Sequence, residues 1–65
     1  MELQEAKQLA EALKTFDEHK VQMIRRDILW TVKMIEEGKM QVKPDYVKLM
    51  VSEARKDLEK LGILL

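Results

Sequence analysis

His19 stands beside Asp17, Glu18 and Lys20, and it is the one histidine in 65 residues. An imidazole next to carboxylates is raw material for a metal site or a general base. On a helix, however, successive side chains point about 100° apart, so neighbouring carboxylates do not close on the ring. The sequence contains no cysteine and no second histidine to complete a coordination shell, and metal sites of that type need three or four converging ligands. No metal is expected, and His19 reads as a solvated residue beside a helix bend.

The other reactive types lead to the same expectation. Glu36 and Glu37 are adjacent, whereas hydrolytic carboxylate pairs must face each other across a cleft that controls water. Ser52, the only serine, has no histidine near it in sequence. Gly38 and Gly62 stand singly and lack the glycine-rich spacing that cradles a phosphate. They read as helix caps. The sequence therefore predicts no enzyme and no cofactor.

What remains is chemistry of contact. Five methionines offer adaptable apolar surface, with core filling as the simpler role. Trp30 lies at the edge of an apolar arc with Met23 and Met34, and tryptophan is enriched at interface hot spots. These three, with Ile63 and Leu64 of the apolar tail, form a candidate partner surface. Arg25, Arg26, Lys39, Lys43 and Lys48 are candidate phosphate contacts. Interleaved acids, and only one each of tryptophan, tyrosine and phenylalanine, weigh against nucleic acid, since base stacking needs aromatic platforms.

Helices must position all of these groups. Residues 2–37 contain no proline or glycine and are mostly good helix formers. Leu3, Ala6, Leu9, Ala10, Leu13 and Phe16 fall on one stripe, which Ile24, Ile28 and Ile35 continue. The direct expectation is one helix roughly 50 Å long at 1.5 Å per residue. Asp17, Lys20 and Asp27 interrupt its apolar arc, and Thr15-Phe16-Asp17-Glu18 fits a capping box, so a break near Thr15 to Asp17 is the alternative. Residues 38–43 read as a connector, Pro44 as the opening of a last helix to about residue 61, and residues 62–65 as an apolar tail. In that helix Val47, Met50, Val51, Ala54, Leu58 and Leu61 form a packing seam.

The fold class is therefore all-α, in one domain. It is an α-hairpin of a long and a shorter helix, or a three-helix bundle if the first helix breaks. An unbroken helix would overhang the last one by about 25 Å and expose Leu3, Leu9, Leu13 and Phe16. An apolar stripe of that kind marks an interface, so a homodimer through these four residues is expected. Burying four such side chains is worth on the order of 6 kcal/mol before ordering costs. Small cores need such help.

Twelve basic residues balance twelve acidic ones, so no global field draws the chain to nucleic acid or to an anionic membrane. The apolar stretch of residues 23–35 is broken by Arg25, Arg26, Asp27 and Lys33, short of the ~20 apolar residues a spanning helix needs. Met1 leads into acidic residues, without the basic and apolar runs of a secretion signal. A cytoplasmic location is expected.

The segment from Val51-Ser52-Glu53-Ala54 through Leu58 to Gly62-Ile63-Leu64, about a fifth of the chain, resembles the end of the recognition helix in winged-helix transcription regulators. No helix-turn signal precedes it, and none of that family's DNA-contacting residues is carried over. Two functions follow as expectations. The first is a non-enzymatic regulator or inhibitor that binds a partner protein through an apolar helix face. The alternative is a small nucleic-acid-binding regulator using the basic residues around the connector and last helix.

Overall fold

The computed structural model describes residues 3–64, and those residues are all-helical with no strand. Three helices follow in order: α1 (Gln4–Ala12), α2 (His19–Glu36) and α3 (Tyr46–Lys60). The expected start at Glu2 and the last tail residue, Leu65, lie outside the described residues.

The continuous first helix does not form. Residues 13–18 turn the chain, and α1 folds back along α2 instead of extending it. At 1.5 Å per residue, the 18 residues of α2 make about 27 Å, most of the 33 Å long axis of the molecule. The reason is burial. Leu9 and Leu13 are enclosed within the chain, with Leu3 and Phe16 packed against the same core. Covering each such side chain is worth about 1.5–3 kcal/mol, more than the few tenths per residue by which helix propensity favours continuing. The capping box does not form either: α2 starts at His19, its N-cap is Glu18, and no side chain caps it.

Polar side chains on α2 hold the corner instead. Gln22 donates from Nε2 to the carbonyl oxygens of Leu13, at 3.2 Å, and Phe16. Arg25 donates from Nε to the Ala10 carbonyl at 3.3 Å. Both add a donor to acceptors at and just beyond the C-terminal end of α1, where Ala10 and Leu13 also accept the amides of Leu13 and Phe16 in short turns and where positive charge is favoured. At the other end, Lys7 and Glu36 form an ion pair of 2.6 Å.

The core is built from α1 (Ala6, Leu9, Ala10), Leu13 after it, α2 (Val21, Ile28, Val32) and α3 (Val47, Val51, Ala54, Leu58). Within each helix these positions recur at the three- and four-residue spacing that shares a face. Two glycines end α2 and α3. Gly38 has φ +72° and Gly62 φ +83°, a region open to glycine and costly for other residues. After α3, the Gly62 amide reaches the Glu59 carbonyl and the Ile63 amide the Leu58 carbonyl, the paired bonds of a Schellman cap. Gly38 and Lys39 make the same pair with Ile35 and Met34. Pro44 lies in the turn before α3, two residues ahead of its first helical residue.

Candidate functional site

α1 covers one side of α2 and α3, and on another side a groove opens between the two longer helices. α2 contributes Ile24, Asp27, Ile28 and Thr31, and α3 contributes Tyr46, Leu49, Met50, Glu53, Ala54 and Asp57. Each set repeats every three or four residues, so each is one flank of a helix next to its buried stripe. The groove has a volume of about 380 Å³, opens to solvent, and exposes more apolar than polar surface.

Ile24, Ile28, Met50 and Ala54 are buried or partly buried and form its apolar floor. On the rim, Leu49 is 62% exposed and Tyr46 is also exposed. The charged lining residues are Asp27, Glu53 and Asp57, all exposed, and no lysine or arginine lines the groove. Glu53 makes one loose ion pair, 3.8 Å, with the exposed Lys56 one turn along. The groove thus joins an apolar floor to an anionic rim.

Of the proposed partner surface, Met23 is exposed and Trp30 is 56% exposed, while Met34 is half-buried. They lie on α2 just beyond the groove wall, because Asp27 neighbours Met23 and Trp30, and Thr31 neighbours Met34, at helical spacing. Ile63 is not part of that surface. It folds onto the core next to Leu58 as the apolar residue of the α3 cap. Leu64 stays 82% exposed.

The four residues expected at a dimer interface have another role in the structure. Leu9 and Leu13 belong to the core of a single chain, and Leu3 and Phe16 pack on that core, so no overhanging stripe is left to pair with a second copy. The candidate phosphate contacts divide as well. Arg25 is turned to the end of α1 by its bond to Ala10. Lys39 pairs with Glu37 at 3.2 Å. Arg26 is exposed on α2, ten residues or ~15 Å along the axis before the helix ends, whereas Lys39 and Lys43 follow that end. Lys48 is exposed on α3.

Sequence reading missed the groove itself. Asp27 reads there as a flaw in an apolar arc, and it becomes a rim residue once α3 lies alongside. Tyr46 and Leu49 gave the available signal, being large apolar side chains set off the α3 seam. His19 is exposed at the start of α2. Among the described residues no group of three or more His, Asp or Glu is placed to hold a metal ion, and no helix is long and apolar enough to cross a membrane. Compared with known proteins, the chain matches no family model, no curated protein and no solved structure.

Proposed function

We propose that this chain is a non-enzymatic interaction module, a small regulator or inhibitor that binds a partner protein through the groove between α2 and α3. One observation carries the reading. The groove keeps Ile24, Ile28 and Met50 in an open trough, and the large apolar side chains of Leu49, Tyr46, Met23 and Trp30 stay exposed along its edges. Apolar surface concentrated in this way is characteristic of a contact site, and a trough between two helices suits an amphipathic helix laid into it. The anionic rim weighs against nucleic acid, whose phosphates would meet Asp27, Glu53 and Asp57.

The test is selection of a displayed library of helix-forming peptides on the immobilised chain. Enriched peptides are expected to bind the protein and its Lys48→Glu variant alike, and to lose binding to Leu49→Lys. Absence of enrichment, or peptides indifferent to Leu49→Lys, would overturn the reading. Salt-dependent retardation of a short oligonucleotide by the chain would favour the nucleic-acid function instead.

A further inference from the structure

The proposed docking groove also specifies what should fill it. Resting on that reading, we infer that the occupant is a cationic amphipathic helix of another protein, with an apolar ridge about three turns long flanked by lysine or arginine.

Length comes from the walls. The α3 side runs from Tyr46 to Asp57, eleven steps of 1.5 Å or about 16 Å, which is three turns of helix. An occupant lying along it presents apolar residues at i, i+3 or i+4, i+7 and i+11, which spans those three turns and reaches Ile24, Ile28 and Met50 on the floor. A longer ridge would leave the groove.

Charge comes from the rim. The three charged lining residues are all acidic and all exposed, while the chain as a whole is neutral. The local bias is therefore a property of this surface and not of composition. Lysines or arginines beside the ridge would reach Asp27 from one wall and Glu53 and Asp57 from the other. Exposed pairs of this kind add modest affinity each and discriminate more strongly against like charge.

A second copy fits the specification less well. The apolar strip it could offer, Met23 and Trp30 of α2, is flanked by Asp27, which would meet the acidic rim of the groove as a like charge.

Three synthetic helical peptides with one apolar ridge, flanked by lysine, glutamine or glutamate, separate the outcomes by fluorescence anisotropy. The lysine peptide is expected to bind about tenfold more tightly than the glutamine peptide, with the glutamate peptide weakest. Raising salt should shrink the preference. Combining Asp27→Asn, Glu53→Gln and Asp57→Asn should reduce it to about twofold or less, with the helical circular dichroism retained. Equal binding of all three peptides, lost on Leu49→Lys, overturns the charge inference and leaves the groove reading standing. Binding by none of them overturns both. A lysine preference unchanged in the triple variant overturns the inference, as does self-association of the chain that Leu49→Lys abolishes.

Discussion

The side-chain amide of Gln22 donates to the carbonyl oxygen of Leu13 across the corner between α1 and α2, at 3.2 Å, and the same nitrogen serves Phe16. A part-buried donor thus supplements the short backbone turns that remain where the helix ends. Gln22→Ala is expected to lower unfolding free energy by about 1–2 kcal/mol, because the Phe16 carbonyl loses this donor and the Leu13 carbonyl keeps only the Phe16 amide. Gln22→Glu should cost more, since it puts a carboxylate against carbonyl oxygens. Urea denaturation measures both, and an unchanged midpoint for Gln22→Ala would contradict this account of the corner.

Leu13 itself is fully enclosed. Leu13→Ala should therefore cost about 2–5 kcal/mol, comparable to the whole stability of a domain this small. Leu13→Asp should unfold the chain outright. If light scattering instead showed a folded monomer formed from a wild-type dimer, Leu13 would lie between chains and the intramolecular core would be wrong.

Gly38 and Gly62 hold positive φ, and a Cβ added at either would meet nothing within 4 Å. Replacement by alanine should then carry only the backbone penalty, about 1–2 kcal/mol at each site. Asparagine, which tolerates this region better, should cost less. Thermal melts of the two alanine variants that matched wild type would show that the caps contribute nothing.

Lys7 and Glu36 form the shortest ion pair, yet both side chains are about half exposed. Screening by solvent limits such a pair, so a double-mutant cycle with alanine at both positions should give a coupling of about 0.2–1 kcal/mol. The coupling should fall as salt rises. A value several times larger and insensitive to salt would mean that the pair is buried.

Trp30 separates contact from packing. With 56% of its surface in water, Trp30→Ala should change stability by no more than about 0.5 kcal/mol. It should also weaken whatever binds across the groove and its α2 edge. A large loss of stability with binding unchanged would make it a core residue.

Sequence by itself determined the all-helical class, because 3.6-residue apolar periodicity with no proline or glycine in residues 2–37 leaves no other backbone to adopt. It pointed to Gly38 and Gly62 as helix caps, since a lone glycine after a periodic segment matches the left-handed conformation that ends a helix. It did not determine where α1 stops. The apolar stripe of Leu3, Ala6, Leu9, Ala10 and Leu13 keeps nearly the same phase as that of Ile24, Ile28 and Ile35, so one long helix and two folded helices produce the same pattern. Only tertiary burial distinguishes them. Folding back covers Leu9 and Leu13 within the chain, and the competing overhang would leave them in water. That choice removes the stripe first read as a dimer interface, and the pairing of α2 with α3 makes the groove. Asp27, Glu53 and Asp57 lie on two helices, and no spacing along the chain encodes that they line one trough. Their shared rim is decided by how α2 and α3 pack.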